Sequence, residues 1–119
     1  MSEHLHQCAV MQWAKLSEKK YPFIDLLHAI PNGGARHIQV AKKLKAEGVK
    51  SGVPDLCLPL PRCGYAGLYI EMKYGDNKVS TNQAWWIDRL RAAGHKVIVC
   101  WSADEAIEKI KAYMEESLE

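Results

Sequence analysis

Residues 66 to 73, AGLYIEMK, leave the chain little choice of conformation. The run is apolar and β-prone, and as a strand it puts Leu68, Ile70 and Met72 on one face and Tyr69, Glu71 and Lys73 on the other. Two opposite charges then leave one strand face side by side. Asp55 opens a second apolar run, Leu56, Cys57 and Leu58, and the turn-rich segment 59 to 64 separates the two. Residues 55 to 60 and 66 to 73 therefore read as neighbouring antiparallel strands, a pairing that brings Asp55 towards Glu71.

Two carboxylates converging at a sheet edge repel one another, and partial burial makes each harder to ionise. A divalent cation relieves both penalties. Mg²⁺ takes oxygen ligands, keeps several waters and shares phosphate oxygens with the protein, so one Asp and one Glu suffice as side-chain ligands. Lys73, on the same face as Glu71, is then placed to hold or polarise an attacking water and to offset charge on a phosphorane. Each fragment also has a plain structural explanation: Glu71 and Lys73 as an exposed ion pair, Pro54-Asp55 as a turn before a strand. It is their combination, with Gly52 ahead of the Pro-Asp, that points to a site.

Around this centre the chain punctuates itself clearly. Leu5, Cys8, Ala9, Gln12, Trp13 and Leu16 recur at helical spacing and predict a first helix over 3 to 18, N-capped by Ser2 and packed on the sheet. Tyr21-Pro22 ends it, and residues 23 to 30 read as a strand. The loop Pro31-Asn32-Gly33-Gly34 can bring its amides close to a phosphate, with Arg36 opening the next helix beside it. It lacks the Gly-Lys-Ser or Gly-Lys-Thr ending of a P-loop, so a DNA-backbone contact is expected and no nucleotide cofactor; a plain turn is the competing reading.

A second helix from Arg36 to Glu47 is expected to bury Ile38, Val40, Ala41 and Leu44 and to stop at Gly48. Its other face, with Lys50 just beyond, carries Lys42, Lys43 and Lys45 against the single acid Glu47. The net charge is only +2, so this local concentration, rather than the total, is what favours phosphates; a solvated face explains any one of these lysines equally well. Gly52 is open to two readings, turn geometry or close approach of a nucleic-acid backbone. Ser80 and Gln83 stand at capping-box spacing and open a helix to about Ala93. Of the adjacent Trp85 and Trp86, one is expected in the core and the other facing a partner subunit or DNA. Lys96 to Trp101 is a β-branched buried strand, and Ser102 with Glu105 starts a last helix packing through Ala106, Ile107, Ile110, Tyr113 and Met114.

The element order helix, strand, helix, strand, strand, helix, strand, helix gives an α/β fold, helices flanking a mixed central sheet, and 119 residues make one domain, 1 to 119. No apolar stretch approaches the roughly 20 residues that span a bilayer, and no signal sequence opens the chain, so no membrane association and a cytoplasmic location are expected. Cys8, Cys57, Cys63 and Cys100 show no C-x-x-C spacing; reduced, mostly buried thiols are expected in preference to a zinc site shared with His28 or His37.

Pro54-Asp55 followed by Glu71-Met72-Lys73 resembles the signature of the restriction-endonuclease-like superfamily, Pro-Asp, a spacer, then Asp or Glu-x-Lys. With Gly52-Val53 ahead and Ser80, Gln83 and Gly94 behind, the chain looks most like the virus-type replication-repair nuclease (VRR-NUC) domain, from Glu3 to about Trp101. The resemblance implies a restriction-endonuclease-like core and a Mg²⁺- or Mn²⁺-dependent phosphodiesterase acting on DNA. For a stand-alone chain of this size it implies a likeness to Holliday-junction resolvases in replication, recombination or repair, in a bacterial or phage-infected cell. It implies Asp55, Glu71 and the Met72 carbonyl as metal ligands, Lys73 as the water-positioning lysine, and Glu3 in the metal site, often through water. It also implies Gln83 near that lysine, and His28 and Asn32 lining the cleft. Plain alternatives stand beside each: Glu3 meeting the helix dipole, Gln83 acting only as a cap, His28 as a packed core residue. Symmetric cutting of a four-way junction needs two sites, hence an expected homodimer. The competing classes are a non-catalytic nucleic-acid-binding module on the same fold and a protein-interaction adaptor using the Trp85-Trp86 helix.

Overall fold

A computed structural model describes residues 1–31 and 37–117; the expected phosphate-facing residues Asn32, Gly33, Gly34 and Arg36 lie outside the described residues. The elements are α1 (Glu3–Leu16), a 3-10 turn (Ile24–Leu26), β1 (His28–Ala29), α2 (Ile38–Ala46), β2 (Leu56–Leu58), β3 (Leu68–Met72), α3 (Thr81–Ala92), β4 (Lys96–Cys100) and α4 (Ala103–Met114). The four strands form one sheet in the order β1-β2-β3-β4, antiparallel across the first two pairings and parallel between β3 and β4. The α3 crossover returns the chain beside β3 in the same direction, which a two-residue hairpin cannot do.

Alternation along β3 decides which face is core. Leu68, Ile70 and Met72 are buried with Leu56 and Leu58 of β2, Ile98 and Cys100 of β4, and Val10, Ala14, Ala106, Ile110 and Tyr113 from α1 and α4. The register explains the grouping: Leu56 lies opposite Ile70, Leu58 opposite Leu68, and Met72 opposite Cys100, so these side chains share one side of the sheet. Tyr113 also ties α4 to the sheet, its hydroxyl donating to the Leu60 carbonyl at 2.6 Å. Ser2 caps α1 as its spacing predicts, accepting from Leu5 N–H at 3.1 Å. Among the described residues no helix is long and apolar enough to cross a membrane.

Several local expectations fail for physical reasons. Residues 23 to 30 are extended only at His28–Ala29: Phe23 takes φ +75° after Pro22, and Leu26 and Leu27 N–H close 3-10 turns onto Phe23 and Ile24. Helix α1 is turned from its predicted stripe. Val10 and Ala14 are buried, while Leu5, Cys8 and Leu16 face outward. The face that docks on the sheet and α4 is set by Val10 and Ala14, small enough for close approach. Helix α2 buries none of the four residues expected of it; Ile38 is 66% exposed and Val40 is also exposed, although Gly48, at φ +101°, does stop the helix. On α3 neither tryptophan is core. Ile87 alone is buried there, Trp86 is half-buried and Trp85 is 55% exposed.

Candidate active site

Extending the β2–β3 register by one residue places Asp55 directly opposite Glu71, since Leu56 already faces Ile70. Directly opposed like charges are unfavourable on a sheet. Asp55 is fixed by its neighbours on both sides: its carbonyl accepts from Ile30 N–H at 2.8 Å, and its Oδ2 accepts from Met72 N–H at 2.7 Å. The second bond pins the carboxylate to the β3 backbone between Glu71 and Lys73. Lys73 N–H in turn bonds the Cys100 carbonyl at 2.8 Å, continuing the parallel ladder past the end of β3.

Glu71 is 2% exposed and Lys73 7%. The plain reading, an exposed ion pair, does not describe them. The described ion pairs, Lys109 with Glu105 and Lys111 with Glu108, both lie on α4. Glu71 and Lys73 are instead joined through Gln83, whose Oε1 accepts from Lys73 Nζ at 2.6 Å and whose Nε2 donates to Glu71 Oε2 at 3.3 Å. The same Oε1 accepts from Ser80 N–H at 2.9 Å while Ser80 Oγ accepts from Gln83 N–H at 3.1 Å, a complete capping box. The two readings of Gln83 are therefore not exclusive. One amide starts α3 and bridges the buried acid and base.

Burial first, then the nearby Asp55 carboxyl with which it is within hydrogen-bonding reach, push the Glu71 carboxyl well above the ordinary carboxylate range; Lys73 opposes this only in part. Glu71 Oε1 is buried and meets no donor among the described residues. A carboxylate oxygen left in that state is costly, on the order of 1–3 kcal/mol or more for a charged group. The Asp55 carboxyl, another acid, lies within hydrogen-bonding reach of the same side chain. Two opposed carboxylates with an orphaned oxygen fit a hard divalent cation with oxygen preference, and the donor set of Asp55, Glu71 and the Met72 carbonyl is suitable in kind.

The remaining predicted residues fall at varying distances from this centre. Glu3, in the first turn of α1, feels both Asp55 and Lys73, and its carboxyl is raised by partial burial and by Asp55. Among the described residues no three His, Cys, Asp or Glu side chains are gathered as a group that could hold an ion, so Glu3 is not drawn up to Asp55 and Glu71 as a third member. His28 is exposed rather than packed in the core, on the edge strand opposite Cys57, its Nδ1 bonded to the Leu26 carbonyl at 2.9 Å. Lys42, Lys43 and Lys50 are all exposed.

Asn82 is a residue the sequence did not single out. Its Nδ2 donates to Ser51 Oγ at 2.8 Å and to the Ser51 carbonyl at 2.9 Å, tying the start of α3 to the loop that delivers Asp55. This contact gives Gly52 a structural reason: with φ +88° it adopts a backbone that L side chains disfavour, and an added Cβ would lie 2.8 Å from Asn82 Nδ2 and 3.1 Å from the Asn82 carbonyl carbon. Gly52→Ala is expected to destabilise the fold by about 1–3 kcal/mol and to displace the Asp55 loop from α3. Urea unfolding measures the first effect, and an unchanged midpoint would contradict it.

A mixed sheet that presents an Asp, a Glu and a Lys together at one end of two adjoining strands is a nuclease-type arrangement. The chain belongs to the VRR-NUC domain family: the family's sequence model matches residues 1–104. A solved structure described as a VRR-NUC domain protein superposes with a TM-score of 0.82 at 32% identity, covering 97% of this chain and 89% of that one. No curated protein matches the chain.

Proposed function

We propose that this protein is a Mg²⁺- or Mn²⁺-dependent DNA endonuclease, acting on branched DNA such as Holliday junctions in replication, recombination or repair. The observation that carries the reading is the buried Glu71 Oε1, without a hydrogen-bond partner among the described residues, on a carboxyl close to Asp55 and bridged to Lys73 through Gln83. Asp55, Glu71 and the Met72 carbonyl would hold the cation, which when bound would supply Lewis-acid polarisation of the scissile phosphate. Lys73 has three ammonium donors and gives one to Gln83 Oε1. The others remain to orient a water for in-line attack and to stabilise charge on the phosphorane. Gln83 prevents Lys73 from collapsing onto Glu71, so the acid stays available to the ion and the ammonium to the substrate. Glu3, at the edge of the site, would act through water rather than as a direct ligand. His28, Lys42, Lys43 and Lys50, with the loop of Asn32, Gly33, Gly34 and Arg36, would meet the DNA backbone. Paired cuts across a symmetric junction call for two copies of this single site, hence a homodimer.

The test is cleavage of end-labelled four-way, flapped, linear duplex and single-stranded DNA with Mg²⁺, with Mn²⁺ and with chelator. Cation-dependent incision, strongest on branched DNA, is expected. Binding without incision under every condition would leave a non-catalytic binding module.

A further inference from the structure

Between α2 and the start of α3 runs a groove of about 570 Å³. Leu44, Val49 and Trp85 give it apolar walls, Lys45 and Lys50 are its charged side chains, and no acid lines it among the described residues. Both of its sides run straight into the candidate active site. Ser51 on one side begins the loop that reaches Asp55 four residues later, and Asn82 on the other precedes Gln83. Trp85 is 55% exposed; its ring stands at 82° to that of Trp86 with centroids 5.5 Å apart, and the Arg89 guanidinium lies over it, 5.8 Å from its centre.

We infer that this groove binds an unpaired nucleotide of the substrate, the base stacking on Trp85 and the flanking phosphates meeting Lys45 and Lys50; this rests on the nucleic-acid reading of the neighbouring site. A nucleobase is flat and apolar on its faces and polar at its edges, which is the pattern of this groove. An aromatic platform held in place and flanked by cations is the usual physical basis of single-strand binding, because every base has a π-face and every nucleotide a charge. A second copy of the chain is the competing occupant, and charge argues against it. A two-fold contact sets the same patch against itself, and here that would oppose Lys45 and Lys50 on one copy with their equivalents on the other, with no acid among the described lining residues to relieve them. A polyanion meets the same face without that repulsion. The inference also gives the exposure of Trp85 a use that a solvent-facing tryptophan otherwise lacks.

The test measures binding rather than cleavage, in chelator, by fluorescence anisotropy with labelled single strands of DNA and of RNA and a blunt DNA duplex, each about 20 nucleotides long. Trp85→Ala is expected to weaken single-strand binding roughly 5- to 100-fold and to leave duplex binding within about twofold, while Trp85→Phe keeps most of the affinity. A similar loss on the RNA strand assigns the contact to the base and supports the inference. An equal effect on duplex and single strand, no effect on either, or no single-strand binding by the unaltered protein overturns it. So does a Trp85→Ala variant that dissociates a dimer without changing oligonucleotide affinity. Circular dichroism verifies that each variant folds. If the protein proves unable to cleave DNA but shows Trp85-dependent strand binding, the nuclease reading falls and this one stands.

Discussion

Lys73→Met is expected to lower the rate of phosphodiester cleavage by about 10²- to 10³-fold while leaving DNA affinity within a few-fold. The size follows from removing one preorganised donor at a centre of developing negative charge. Methionine is close to lysine in length and suits the 93% burial implied by an exposure of 7%, so the fold should tolerate it. Gln83 Oε1 retains the Ser80 N–H as a partner, and α3 keeps its cap. The defect should therefore appear in kcat and not in KM, the pattern of an interaction made in the transition state. Single-turnover cleavage of a labelled junction measures it directly. A variant that cuts at the unaltered rate would remove Lys73 from the mechanism.

The second large effect concerns Glu71 and the cation, and its sign can be worked out. In chelator the folded state holds the Glu71 proton more tightly than the unfolded chain does, because burial and Asp55 raise its carboxyl above the ordinary value of 4.5. Above that ordinary value the native state binds more protons than the unfolded one, so stability falls as pH rises from about 4.5 towards neutrality and beyond. Glu71→Gln removes that ionisation. The variant should be more stable than the unaltered protein at pH 8 in chelator, by about 1–3 kcal/mol, and this advantage should vanish near pH 4. Divalent cation reverses the comparison. At 100 times its dissociation constant, Mn²⁺ adds about 2.7 kcal/mol to the unaltered protein, a rise in Tm of roughly 5–15 °C, and adds nothing to Glu71→Gln. A thermal melt series across pH, with and without Mn²⁺, reads both arms. Equal Mn²⁺ shifts in the two proteins would eliminate Glu71 as a ligand.

The fold was readable from sequence where two signals agreed. In β3 the period-two alternation of 68 to 73 and the turn-rich spacer before it specified both pairing and facing, and Asp55 and Glu71 come together as that register requires. Capping chemistry located the starts of α1 and α3 because it depends on only a few adjacent residues. Helix facing was harder to read. The apolar stripes of α1 and α2 count hydrophobic residues without saying what covers them, and the sheet and α4 accept α1 through Val10 and Ala14 while α2 keeps Ile38 and Val40 exposed. At 23 to 30 the composition is β-prone, but the backbone after Pro22 turns through a left-handed Phe23, a conformation that composition does not reveal. Asn82 was invisible for a different reason. Its partner, Ser51, is distant in sequence, and no local pattern marks a contact across 31 positions.

The amide of Gln83 leaves position 83 almost no freedom for redesign. Glutamate would still accept from Ser80 N–H and Lys73, but it would replace the donor to Glu71 with a second anion. Alanine would free the lysine and leave Ser80 N–H without its side-chain acceptor, keeping only the Ser80 half of the capping box. Any engineer seeking a hyperstable or altered version of this protein must treat helix initiation and the placement of the lysine as one design variable.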